Sequence, residues 1–196
     1  METWVIKGHV VEYIDDTHTY LVDGVIKPSI TQILKSKFGK KYDIVSQSVL
    51  QRASELGTAT HKAIENYCKY GIDDNSKEVR NFKFLQKQFN FEVIDNEIPI
   101  ILFDDKNNPV ACGRLDLVLN DNGLCLGDIK RTSTLDKDYL AYQLNLYRIG
   151  YQQCYQQEVK KLKGLHLRED VRKYVDIPIN ELMALDLLKE FLKGEN

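Results

Sequence analysis

Two apolar runs joined by a turn, each carrying an aspartate, constrain the centre of this chain. Arg114-Leu115-Asp116-Leu117-Val118-Leu119 and Leu124-Cys125-Leu126-Gly127-Asp128-Ile129-Lys130 flank Asn120-Asp121-Asn122-Gly123. An Asx-Gly turn between two apolar runs is a strong hairpin signal. Such a hairpin brings Asp116 and Asp128 to one end of a sheet. Strand alternation then puts Asp128 and Lys130 on one face and turns Ile129 inward. Two carboxylates and an ammonium on one surface make a plausible site for a metal ion and a water.

The surrounding pattern predicts a mixed α/β (α+β) fold built on that sheet. Residues 3–27 alternate like a small β meander, with Asp15-Asp16 and Asp23-Gly24 as turns. Ser29 is a natural N-cap for a short helix over Ile30–Leu34. Ser46 to Tyr70 reads as helical, in two pieces broken near Gly57. Val79, Phe82, Leu85 and Phe89 recur at helical spacing and predict a helix over Lys77–Phe89. Three strands should follow, at Phe91–Phe103, Val110–Leu119 and Leu124–Thr132. A long helix over Leu135–Gln156, strands near Leu162–Leu167 and Tyr174–Ile179, and an amphipathic helix over Asn180–Leu192 complete the order. One domain over residues 1–196 is expected, with a β-rich and short helical part to 45, a core over 46–179 and a closing helix over 180–196.

The 196 residues are 43% hydrophobic and 29% charged, the balance of an ordinary globular protein. No apolar run approaches membrane-span length, and Met1-Glu2-Thr3-Trp4 has neither a basic start nor an apolar signal core. An intracellular, cytoplasmic location is the expectation. The net charge of −2 argues against a binder that relies on bulk positive charge, but not against local patches. Lys35, Lys37, Lys40 and Lys41 surround Phe38-Gly39, a segment suited to following a phosphate backbone. Lys160-Lys161-Leu162-Lys163 is a second basic run. Cys68, Cys112, Cys125 and Cys154 lie far apart without a C-x-x-C pair, so reduced thiols are expected.

Two helices offer further groups. His61 and Glu65, four apart, share a face of the first, and a neutral imidazole beside carboxylates is a good ligand for Mn²⁺. Gln143 and Tyr147 are also four apart, and buried polar groups there would need partners. Arg148 on the same helix is a candidate substrate contact.

Taken in order, Gly57-x-x-x-His61, Leu115-Asp116, Asp128-Ile129-Lys130 and Gln143-x-x-x-Tyr147 resemble the RecB-type exonuclease branch of the PD-(D/E)xK nuclease superfamily. The match spans residues 57–147, about half the chain. Tyr20–Gly24 followed by Pro28–Leu34 is similar to the start of small phage-type members. Leu115 stands where the family name has proline, with little chemical consequence.

The resemblance implies a restriction-endonuclease-like core and a divalent metal, Mg²⁺ or Mn²⁺. Asp116, Asp128, His61 and the Ile129 carbonyl would hold that metal. Lys130 would orient or deprotonate the attacking water, and Gln143 and Tyr147 would position the nucleophile or the DNA. Glu65 would stand in an outer layer. The cysteines do not fit the arrangement that some relatives use for an iron–sulfur cluster, so none is expected. The implied activity is metal-dependent hydrolysis of DNA, by an exonuclease in phage or bacterial recombination, repair or replication, with proteins of those processes as partners. A structure-specific endonuclease and a catalytically silent DNA-binding module are the alternatives.

Overall fold

The computed structural model describes residues 1–39 and 46–194. Four short strands, β1 (Glu2–Ile6), β2 (His9–Ile14), β3 (Thr19–Val22) and β4 (Val25–Lys27), form the antiparallel meander read from the sequence. Next come the helices α1 (Ile30–Phe38), α2 (Gln47–Tyr70) and α3 (Lys77–Phe89). A second sheet carries β5 (Glu92–Phe103), β6 (Pro109–Asn120), β7 (Leu124–Lys130), β8 (Lys161–Arg168) and β9 (Val171–Ile177) in that spatial order. Helix α4 (Lys137–Tyr155) connects β7 to β8, the one parallel pair of this sheet, and α5 (Glu181–Gly194) closes the chain. The fold is thus mixed α/β, as expected.

Local chemistry explains the boundaries. Ser29 caps α1 with a full capping box, accepting from the Gln32 N–H while the Gln32 side chain accepts from the Ser29 N–H. Ser76 and Asp136 cap α3 and α4 in the same sense. Helix α2 corrects one expectation, because it runs unbroken through Gly57. A helical glycine costs only about 1 kcal/mol against alanine. The packing of Ile64, Tyr67 and Cys68 against the sheet holds the helix together. The chain leaves α2 instead at Gly71, whose φ of 68° is the left-handed conformation of a helix C-terminus.

The five-stranded sheet is covered on both faces. Helices α1, α4 and α5 bury Ile33, Leu34, Leu144 and Leu187 against Ile100, Leu102, Val118 and Leu126. Helices α2 and α3 bury Ile64, Phe82 and Leu85 against Leu117, Leu119, Ile129 and Leu165. The meander lies against one end of β5 and β6, where Ile6, Val11, Tyr20 and Val22 meet Ile101, Phe103, Cys112 and Cys154. All four cysteines are free thiols. Among the described residues no helix is long and apolar enough to cross a membrane.

Helix α4 sits unusually close to the sheet because Gly150 has no side chain. A Cβ there would lie 2.2 Å from Ile100 Cγ2 and 3.1 Å from the Ile101 carbonyl oxygen. Gly150→Ala should therefore destabilise by about 1–3 kcal/mol. That corresponds to a fall in Tm of several degrees, at about 2–4 °C per kcal/mol for a chain of this size. Thermal unfolding followed by circular dichroism checks this, and an unchanged or raised Tm contradicts it.

Candidate metal centre

The β6–β7 hairpin delivers its aspartates through its register. Leu119 faces Cys125, Val118 faces Leu126, and Leu117 faces Gly127, where the ladder ends. One step further the backbones no longer pair, and a side chain takes over. Asp116 Oδ2 accepts the Ile129 N–H at 2.7 Å. The two strands are thereby tied at the point where they part. Asp128 to Lys130 continue instead along β8, facing Gly164 to His166.

His61, on α2, completes the tie from the other side of Ile129. Its Nε2 lies 3.0 Å from the Ile129 carbonyl oxygen, which can only accept, so Nε2 carries the proton. The other nitrogen, Nδ1, is 3.4 Å from Asp116 Oδ1 and 3.8 Å from Glu97 Oε1. One ligand atom from each of His61, Glu97 and Asp116 lies within 4.8 Å of the others, a spacing that a single cation can bridge.

Sequence reasoning missed Glu97. It sits in β5 between Asn96, which faces Leu117, and Ile98, which faces Leu115, and so it stands opposite Asp116. Its φ of 53° is left-handed within a strand, a conformation a non-glycine residue adopts only under constraint. Arg114 holds it there, with Nε 2.8 Å from Glu97 Oε2, while Nη1 bonds Glu2 at 3.0 Å. In the sequence Glu97 follows Asp95-Asn96 in a polar stretch of the edge strand β5, and nothing there sets it apart.

Asp128 is turned toward Lys130, with which it forms a close ion pair through Oδ2. Its Oδ1 is buried and has no hydrogen-bond partner among the described residues. Burial, together with the nearby Asp116 charge, pushes the Asp128 carboxyl up to about 6 despite Lys130. Burial opposes ionisation of Asp116 too, but the charge and hydrogen bond of His61, with Lys130 and the Ile129 N–H, hold its carboxyl below the ordinary range. For His61, burial disfavours the charged ring, yet Asp116 and Glu97 raise it well above the usual histidine value. Lys130 behaves alike: burial works against its charge, and Asp128 and Asp116 outweigh it. The resting centre therefore holds an ammonium and an imidazolium against its acids.

Gln143 and Tyr147 lie on the buried side of α4, as expected. The Tyr147 ring packs over β6 at Gly113, where an added Cβ would be 2.9 Å from its Cε1 and 3.2 Å from its hydroxyl. Burial first, and then the neighbouring Tyr20 phenol and the Asp116 and Asp128 carboxylates, keep the Tyr147 phenol protonated. Gln143 Oε1 is buried without a partner among the described residues. Glu65 is held between Lys62 and Lys69, at 2.9 and 3.0 Å, and lines the same cavity as His61.

The expected basic contacts fare differently. Arg148 is not free to reach a substrate, because it bonds the Val159 carbonyl and Glu181 and so ties α4 to α5. In the run at 160–163, Lys161 is engaged by Asp121 and Lys163 by Asp176, while Lys160 is exposed. Lys35 is exposed on α1, and Lys37 lies over the Tyr142 ring at 5.0 Å. Lys40 and Lys41 fall outside the described residues.

No family model matches the chain, and no curated protein matches it. A solved structure similar to it is described as the crystal structure of SSO0001. The two are 16% identical with a TM-score of 0.49, over 87% of this chain and 77% of that one.

Oxygen and imidazole donors with an unsatisfied buried carboxylate oxygen suit a hard divalent ion. Such an ion competes with the protons on Asp128 and His61, so lowering the pH weakens it. Mn²⁺ affinity should rise between about pH 5 and 8, with proton release on binding. Titration calorimetry in two buffers of different ionisation heat measures both. An affinity independent of pH, with no proton released, contradicts this reading.

Proposed function

We propose that this protein is a metal-dependent deoxyribonuclease of the RecB-type branch, with the centre around Asp116 and Ile129 as its active site. The observation that carries the reading is the grouping of His61, Glu97 and Asp116 within 4.8 Å of one another, with the Ile129 backbone bonded to both His61 and Asp116 and an Asp128–Lys130 pair beside them. Those are the parts that in-line attack of water on a phosphodiester needs. The family's motifs supply them in the same order.

Asp116, Asp128, His61 and the Ile129 carbonyl would hold Mg²⁺ or Mn²⁺, with Glu97 beside them. When bound, the ion supplies a Lewis acid for phosphate oxygens and lowers the pKa of water. Lys130 acts as an ammonium, since its neighbours raise its pKa. Its part is to neutralise charge on the scissile phosphate and to orient the water, rather than to take the water's proton. That proton passes to a carboxylate of the centre. Tyr147 stays protonated and is a hydrogen-bond donor to phosphate or water. Gln143 offers the carbonyl oxygen that lacks a partner.

Purified protein with Mn²⁺ should degrade end-labelled linear DNA and leave closed circular DNA intact. Cutting of the circle would favour an endonuclease. Lys130→Ala and Asp116→Asn should each lower the rate by about 10²–10⁴-fold. Circular dichroism would show whether the fold is kept. Failure of the wild type on single- and double-stranded DNA with either metal, while DNA is still bound, would leave the silent module as the better account.

A further inference from the structure

Between α2 and the meander lies a cavity of about 260 Å³. Gly57 and His61 line it from α2, Tyr13 and His18 from the meander, and Glu97 and Arg114 from the sheet. His61 and Glu97 belong also to the cation group, so an occupant of this cavity lies directly beside the reacting centre.

Gly57 is the unexplained member. It lies inside a 24-residue helix, where glycine is less stable than alanine, and its backbone is not left-handed. A Cβ built on it meets nothing within 4 Å. Nothing in the fold requires the missing side chain. Gly57 is also one helical turn before His61, on the same face. Leaving that place bare keeps the cavity open at the approach to His61.

The lining cations are each paired with a carboxylate, and Asp15 adds a further acid. Arg114 is bonded to Glu97, and Lys62 to Glu65. On the opposite wall the Tyr13 hydroxyl and His18 Nδ1 share a hydrogen bond of 2.7 Å. A lining whose cations are paired and which offers carboxylate and hydroxyl oxygens suits an uncharged, hydroxyl-bearing group better than a phosphate.

We propose that this cavity seats the deoxyribose of the nucleotide next to the scissile phosphate, with Gly57 kept bare so that the sugar lies against α2. The proposal rests on the DNA-cleavage reading above. It makes Gly57 a specificity-determining position bought at the expense of helix stability.

Gly57→Ala and Gly57→Leu in the full chain test it. Gly57→Ala should raise Tm by about 2–4 °C. Both variants should keep wild-type Mn²⁺ affinity. The affinity for a short single-stranded DNA, measured by anisotropy in the Lys130→Ala background, should fall by about tenfold or more for Gly57→Leu, with a smaller loss for Gly57→Ala. The same order should appear in KM for cleavage.

If Gly57→Leu binds the oligonucleotide within twofold of its parent, the subsite is wrong and the nuclease reading is untouched. If the wild type binds DNA in a Gly57-sensitive way but does not cleave it, the cavity seats a nucleotide sugar with no scissile phosphate beside it, and the nuclease reading falls. If the wild type binds no DNA, both fall.

Discussion

The Asp116 carboxylate, accepting the Ile129 N–H in the interior, is the contact on which the centre depends. A buried carboxylate is costly unless its oxygens are satisfied. Here one oxygen replaces the next rung of the β6–β7 ladder and the other faces His61. That single side chain closes the hairpin end and aims the Ile129 carbonyl at His61. It also leaves Asp128 and Lys130 to follow β8. Replacing Asp116 with an apolar residue would unmake a strand junction as well as remove the carboxylate that faces His61.

Around this contact the charges alternate. Lys130 faces Asp128, His61 faces Asp116 and Glu97, and Arg114 links Glu97 to Glu2. The meander therefore contributes to the centre through Glu2 and Tyr13, over whose ring Arg114 lies at 5.2 Å. Such networks are stable only when every member is partnered. The exception, Asp128 Oδ1, is the place where a cation would be most welcome.

Much of this was legible in the chain. The Asn120–Gly123 turn fixed the hairpin, and with Asn122 and Gly123 at positive φ it set a register that periodicity already implied. The helix over Lys77–Phe89 follows the apolar spacing to the residue. Gly57 misled as a helix break because local propensity is weaker than the packing of Ile64 and its neighbours. Glu97 was invisible because its role comes from standing across β6 from Asp116, a pairing that depends on register and on an unusual backbone angle. Arg148 looked like a substrate contact because sequence does not reveal that Glu181 lies beside it.

The most direct test is where a divalent ion settles. Crystals grown with Mn²⁺ should show one strong anomalous peak bonded to Asp116, Asp128, His61 and the Ile129 carbonyl, with Lys130 displaced from at least one Asp128 oxygen. A peak elsewhere, or none at saturating Mn²⁺, would contradict the account.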